Sequence, residues 1–127
     1  MNVQEKYQRL EDTVRQYNPG ANFDLIHAAF VYAEAHHRGQ NRKDGSPFIT
    51  HPLAVAQIVA QELHLDSESI AAALLHDTIE DTDATHEDIA RTFSPTIADI
   101  VEGVSKLTRV QAASKAEEQM ENLRKML

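Results

Sequence analysis

The run from Ile70 to Leu75, IAAALL, constrains the fold more than any other part of the sequence. It is apolar on nearly every side, whereas a helix at a protein surface carries a single apolar stripe. Other elements must therefore surround it, and the sequence predicts a buried central helix. Asp66 precedes the run as an N-cap, so we expect one continuous helix over SIAAALLHDTIE, residues 69–80.

The remaining apolar residues repeat at helical spacing, and the stretch Arg38–Thr50, with two glycines and a proline, predicts a loop. The other predicted helices are one with Tyr7, Leu10, Val14 and Tyr17 on one face, one from about Phe23 to the region of His37, one from Pro52 to Leu63, one over Glu87–Phe93 behind a Thr85–Asp88 capping box, one opening at Ser94-Pro95 with Ile97, Ile100, Val101 and Val104, and an amphipathic segment from about Ser114 to Leu127. We predict an all-α fold, one compact bundle of roughly six or seven helices in a single domain over residues 1–127.

Charge and cysteine content exclude several classes of protein. The net charge is −8 with histidine neutral, which disfavours a nucleic-acid or membrane-surface binder. The chain has no cysteine, so disulfides, thiolate metal sites and a cysteine nucleophile are excluded. The polar N-terminus shows no signal peptide, and the longest apolar run is too short to span a bilayer. We expect a cytoplasmic protein without nucleic-acid or membrane partners.

The buried helix leads directly into a cluster of ionisable residues. His76-Asp77 follows the apolar run, and Glu80-Asp81 lies one turn further on. Neighbours on a helix point about 100° apart, so His76 and Asp77 reach one metal ion only if it lies close to the helix. His51, just before the third predicted helix, is a natural third ligand. Imidazole and carboxylate groups suit Mn²⁺, Fe²⁺ or Zn²⁺, and Glu80 and Asp81 suit the positioning or deprotonation of a water.

Each of these features also has a purely structural interpretation. A single histidine at a helix end is more often a cap than a ligand, and an acidic run such as EDTDATHED is typical of a solvated helix start. Arg38, Arg42 and Lys43 form the most basic patch of the chain, which indicates either an anionic, phosphorylated substrate or an ordinary exposed loop. Ionisable groups that follow a buried helix need compensation, and this favours the functional interpretation.

Three ordered motifs resemble the hydrolase domain of the RelA/SpoT family: HRGQNRKDGSPFITHPLAVAQIV, AALLHDTIEDTDAT and IVEGVSKLTRV. The resemblance runs from about Phe23 to Val110. That domain belongs to the HD superfamily of metal-dependent phosphohydrolases. The resemblance implies removal of the 3′-diphosphate of ppGpp or pppGpp, which yields pyrophosphate and GDP or GTP.

The resemblance also implies a role for each candidate residue. The implied ligands of one Mn²⁺ ion are His51, His76 and Asp77. The acidic pair implied to position or activate the attacking water is Glu80 and Asp81. The implied substrate-binding residues are Arg42 against the guanine base, Lys43 near it, and Lys106.

The family supplies a fourth metal ligand, an aspartate, from a later helix, and here that position would lie beyond Leu127. The resemblance therefore implies an N-terminal fragment of a longer enzyme, without its synthetase and regulatory domains. A homodimer through the C-terminal face is one way to bury a surface left incomplete. Two other functions stay open: an HD phosphohydrolase acting on another nucleotide, and a catalytically silent nucleotide-binding or regulatory module.

Overall fold

The computed structural model describes residues 1–106 and Met120. Its helices are α1 (Val3–Tyr17), α2 (Phe23–His36), α3 (Thr50–Leu63), α4 (Ser67–Leu75), α5 (Thr78–Asp81) and α6 (His86–Thr92), followed by a helical segment at residues 95–106. No strand occurs among the described residues, so the predicted all-α architecture is confirmed. The predicted amphipathic segment Ser114–Leu127 lies, apart from Met120, outside the described residues.

Helix α4 lies at the centre of the molecule, packed against α2 and α3, while α1 packs on the outside of α3. Ile70, Leu74 and Leu75 have no solvent-exposed surface. Burial of each such side chain contributes roughly 1.5–3 kcal/mol to folding. The apolar run is therefore enclosed by neighbouring helices, as its sequence predicts.

Side chains mark where α4 and α6 begin. Asp66 Oδ1 accepts a hydrogen bond of 2.9 Å from the Ser69 amide at the N-terminus of α4. Thr85 and Asp88 form a capping box at the N-terminus of α6, in which each side chain accepts from the other residue's amide. These bonds satisfy amides that have no partner within a helix. Both predicted caps are confirmed, although α4 begins at Ser67 rather than Ser69 and α6 at His86 rather than Glu87.

The prediction of one continuous helix over residues 69–80 is wrong, because α4 ends at Leu75 and α5 begins at Thr78. Two side chains take the place of backbone donors at this junction. Thr78 Oγ1 donates to the Leu75 carbonyl at 2.7 Å, and His76 Nδ1 donates to the Ala73 carbonyl at 2.6 Å. These bonds satisfy terminal carbonyls of α4 and leave His76 and Asp77 in the turn between two helices.

The loop between α2 and α3 is closed by backbone hydrogen bonds. The Phe48 amide donates to the Gln40 carbonyl at 2.9 Å, and the Arg42 amide donates to the Ser46 carbonyl at 2.8 Å. Gly45 has a φ of +88°, a conformation that favours glycine, and it allows the chain to reverse. Arg42 is consequently carried at the tip of an ordered loop.

Candidate metal centre

Three different elements bring His51, His76 and Asp77 together. His51 is the second residue of α3, which begins at Thr50 rather than at the predicted Pro52. His76 follows the last residue of α4, and Asp77 precedes the first residue of α5. One ligand atom from each of the three lies within 4.8 Å of the others. The structure thus gathers the three residues that the sequence singled out as ligands.

The Asp77 carboxylate is the centre of this group. Its Oδ2 lies 3.1 Å from His76 Nε2 and 3.4 Å from His51 Nε2. Although these distances fall within ion-pair range, Oδ2 is buried and makes no hydrogen bond, so neither approach has hydrogen-bond alignment. A buried carboxylate oxygen without a donor is unfavourable, and a bound cation would compensate it.

The tautomer of His76 follows from its backbone contact. A carbonyl oxygen can only accept, so the proton in the 2.6 Å contact with the Ala73 carbonyl lies on Nδ1. In the neutral ring Nε2 then carries a lone pair that faces the Asp77 carboxylate. Two electron-rich atoms this close together favour a bound cation. In other proteins, a backbone contact of this kind orients metal-binding histidines.

The environment of His51 keeps its imidazole in the form that binds metal. Burial lowers the pKa of His51, and this effect exceeds the opposing attraction of the Asp77 charge. A lower pKa leaves the ring neutral over more of the pH range. Two imidazole nitrogens and one carboxylate oxygen form a donor set that fits Mn²⁺, Fe²⁺ or Zn²⁺ and leaves coordination positions for other ligands.

The two acidic residues of α5 lie one helical turn from the centre, as predicted. The Asp81 amide donates to the Asp77 carbonyl at 2.9 Å. Partial burial raises the pKa of Asp81, and the charges of Asp77 and Glu80 act in the same direction. Its side chain still reaches solvent. A carboxylate with a raised pKa in such a position is a better proton acceptor than an ordinary exposed one.

The basic residues predicted to bind substrate lie on two elements. Arg42 and Lys43 are exposed and line an open surface cavity of about 600 Å³ at the loop tip. The positive charge of Arg42 also contributes to the lowered pKa of His51, which places its field at the metal centre. Lys106 lies instead on the helical segment 95–106, where its Nζ pairs with Glu102 at 3.1 Å.

That helical segment borders the centre through its apolar side chains. Ile100 and Val104 line an apolar cavity of about 450 Å³ together with His51 and His76. Lys106 therefore lies on an element that borders the three clustered residues. Its ammonium group, however, pairs with Glu102 and not with any of those three.

Two further residues, which no sequence pattern indicated, connect to the acidic pair: Gln40 contacts Asp81, and His37 contacts Gln40. Gln40 Nε2 donates to the Asp81 carbonyl at 2.7 Å, and His37 Nδ1 lies 3.0 Å from Gln40 Oε1. Gln40 and Asp81 are 41 residues apart, and neither lies in a periodic or capping pattern that would link them.

A family model described as HD domain matches residues 29–127. The chain belongs to the HD domain family. This family implies a divalent metal, in agreement with the donor set of the two histidines and Asp77. None of the helices described for this HD domain combines the length and the apolar character that a bilayer span requires.

The HD domain is similar in sequence to RelA/SpoT enzymes, as its motifs predicted. It is 48% identical over 118 residues to the GTP pyrophosphokinase rsh of Brucella melitensis. The alignment covers 93% of this chain and 16% of that protein. It is 45% identical over 121 residues to the bifunctional (p)ppGpp synthase/hydrolase SpoT of Escherichia coli K12, with 95% of this chain and 17% of that protein covered. The HD domain thus spans about a sixth of the length of these relatives.

A solved structure of a metazoan ortholog of SpoT, described as hydrolysing ppGpp, is similar in fold. The TM-score is 0.59 at 34% sequence identity, and the match covers 61% of this chain and 46% of that one. The predicted HD-type fold is therefore confirmed by sequence and by structure.

Proposed function

We propose that this HD domain hydrolyses the 3′-diphosphate of ppGpp or pppGpp and releases pyrophosphate with GDP or GTP. One observation carries the proposal: the buried, unpartnered Asp77 Oδ2 lies between two histidine nitrogens, next to an acidic helix turn and a basic loop. The similarity to SpoT of Escherichia coli and to the metazoan SpoT ortholog supports this substrate over other phosphate esters.

In this proposal His51, His76 and Asp77 hold one Mn²⁺ ion. When bound, the ion would act as a Lewis acid that polarises the phosphoryl group and would offset negative charge on the diphosphate. The Ala73 carbonyl keeps the His76 ring oriented, and burial keeps His51 neutral and able to bind.

Glu80 and Asp81 act on the attacking water. They orient it, and Asp81, whose pKa is raised, accepts its proton as the water oxygen bonds to phosphorus. The bond between that phosphorus and the ribose 3′ oxygen breaks, and the 3′ oxygen takes up the proton that Asp81 accepted from the water, which leaves Asp81 ionised again. The products are pyrophosphate and a nucleotide with a free 3′ hydroxyl.

The basic residues bind the substrate. Arg42 has a planar cation suited to stacking on the guanine base, and Lys43 beside it attracts phosphate. Both are exposed at the tip of an ordered loop and are accessible to a ligand. Lys106 exchanges its contact with Glu102 for a phosphate group when substrate binds.

Release of pyrophosphate from ppGpp, measured in the presence of Mn²⁺ and again after its removal by a chelator, tests the proposal. We expect turnover only with Mn²⁺. Asp77→Asn should show no turnover at an Mn²⁺ concentration that gives the wild-type protein full activity. Turnover of a different nucleotide with none of ppGpp would identify an HD phosphohydrolase of other specificity. Tight binding of ppGpp without pyrophosphate release would identify a regulatory module instead.

A further inference from the structure

Gln40 joins the basic loop to the acidic turn. Its backbone lies at the base of the loop, where its carbonyl accepts from the Phe48 amide at 2.9 Å and its amide donates to the His37 carbonyl at 3.0 Å. Its side chain crosses to the other element and donates from Nε2 to the Asp81 carbonyl at 2.7 Å. One residue thus contacts both parts of the proposed active site.

The direction of donation is determined in both hydrogen bonds that the Gln40 side chain makes. The Asp81 carbonyl can only accept, so the amide nitrogen of Gln40 faces it and Oε1 faces the other way. Oε1 lies 3.0 Å from His37 Nδ1, and that ring nitrogen must therefore carry the proton. A single arrangement of donors and acceptors runs from His37 through Gln40 to Asp81.

His37 is a rigid support for Gln40. Its side chain is 2% exposed, and its ring lies 4.6 Å from the Phe48 ring, centroid to centroid. Its Nε2 has no hydrogen-bond partner among the described residues. The packing against Phe48 and the Nδ1 bond to Gln40 therefore fix the position of the ring, and that bond holds the Gln40 side chain in turn.

Helix α5 is anchored at its start, where the buried Thr78 donates to the Leu75 carbonyl, and the Gln40 bond holds its other end. It has four residues, and Asp77 makes no side-chain capping bond at its start. An isolated helical turn of this length is not stable in water. Gln40 lies in the loop between α2 and α3, and its hydrogen bond reaches α5 at Asp81, the proposed proton acceptor.

We infer that Gln40, held in place by His37, is a positioning residue that sets the Asp81 carboxylate relative to the Arg42–Lys43 loop. The inference rests on the proposed function, since it is there that Asp81 accepts a proton. Gln40 touches neither the three metal-binding residues nor the reacting atoms; it acts through the backbone of Asp81.

The test replaces Gln40 by Leu, which keeps similar volume and removes the donor. We expect kcat to fall about tenfold or more, because small misplacements of a catalytic group are costly, while KM changes less. Mn²⁺ affinity should change less than kcat, since His51 and His76 lie on other elements and Asp77 lies at the end of α5 opposite Asp81. Gln57→Leu is the matched control, because Gln57 Nε2 makes a similar 2.8 Å bond to Thr13 Oγ1 away from the site.

His37 provides a second pair of variants. His37→Asn keeps a donor close to the position of Nδ1 and should restore much of the kcat that His37→Leu loses. Equal loss in both variants, at equal thermal stability, would show that the bond to Gln40 does not matter. Full kcat in Gln40→Leu would also overturn the inference.

A spectroscopic measurement separates this inference from the proposed function. We expect ¹⁵N NMR of the wild-type protein to show His37 protonated at Nδ1, and amide exchange at Asp81 to accelerate several-fold in Gln40→Leu but not in Gln57→Leu. A ring protonated only at Nε2, or unchanged exchange, overturns the inference whether or not ppGpp is hydrolysed. If wild-type protein does not hydrolyse ppGpp, the proposed function fails and the exchange result alone decides whether Gln40 positions Asp81.

Discussion

His76 Nε2 and Asp77 Oδ2 lie 3.1 Å apart at the junction of α4 and α5, although the two residues are neighbours in the chain. Within one continuous helix their side chains would diverge by about 100°. His76 and Asp77 keep backbone angles in the right-handed helical region, so the break after Leu75 does not by itself turn their side chains toward each other. The Asp77 carboxylate nevertheless reaches the His76 imidazole, and with His51 the two residues form one cluster of candidate ligand atoms.

Mn²⁺ should stabilise the protein through Asp77. At a free concentration 100 times its Kd, a ligand that binds only the folded state raises the free energy of unfolding by about 2.7 kcal/mol. We expect Asp77→Asn to abolish most of this gain, because the buried carboxylate loses its charge. Thermal unfolding with and without Mn²⁺ measures the effect.

Asp83→Asn is the control for that experiment, since it removes the same charge from an exposed side chain nearby. It should keep the full Mn²⁺-induced stabilisation. An equal response of the two variants would mean that the ion binds to diffuse surface charge rather than at the three clustered residues.

The acidic pair should act in the reaction without holding the metal. The double replacement Glu80→Gln, Asp81→Asn should lower kcat by roughly 10²- to 10⁴-fold, the usual contribution of acid–base groups. Mn²⁺ affinity, measured by calorimetry, should stay close to that of the wild type. Glu87→Gln, an exposed acidic residue in the first turn of α6, is the control and should retain turnover. Full turnover in the double variant would remove the acid–base role.

The basic loop should affect substrate binding and leave folding unchanged. Arg42→Ala and Lys43→Ala each remove an exposed cation, so the free energy of unfolding should change by no more than about 0.5 kcal/mol. KM for ppGpp should rise about tenfold or more, because Arg42→Ala loses the stacking on the base and Lys43→Ala loses the charged contact with phosphate. Arg9→Ala on α1 removes the same charge from another surface and should leave KM unchanged. A similar KM in all three variants would contradict a substrate site at the loop.

The parts of the fold that depend on local patterns could be predicted from the sequence. The all-round apolar run predicted a buried α4, and the Thr85–Asp88 capping box predicted the start of α6. The cluster of ionisable residues after α4 indicated the ligand candidates. Each of these signals lies within a few residues of the feature it predicts.

The parts that depend on individual side-chain bonds could not be predicted. The end of α4 depends on Thr78 and His76, whose side chains donate to nearby carbonyls. His76 keeps backbone angles in the right-handed helical region, so nothing in the local sequence distinguishes this end from a continuing helix. The contact between Gln40 and Asp81 joins residues 41 positions apart. It follows from the packing of the finished fold, so no sequence period signals it.

The N-cap of α4 should contribute to stability in a pH-dependent way. Asp66→Ala removes the acceptor for the Ser69 amide, and we expect the free energy of unfolding at neutral pH to fall by about 1 kcal/mol. Asp66→Asn keeps an acceptor and should cost less. Urea unfolding of the three proteins measures these differences.

Acid should reduce the advantage of Asp66 over asparagine. Hydrogen bonds from Ser69 lower the pKa of Asp66 from its ordinary value of 3.8. A group with a lower pKa in the folded state contributes fully above its unfolded-state pKa and loses that contribution as the pH falls through the folded-state pKa. The difference in unfolding free energy between wild type and Asp66→Asn should therefore be constant at neutral pH and shrink below about pH 4. A difference that does not change with pH would mean that the carboxylate charge plays no part in the cap.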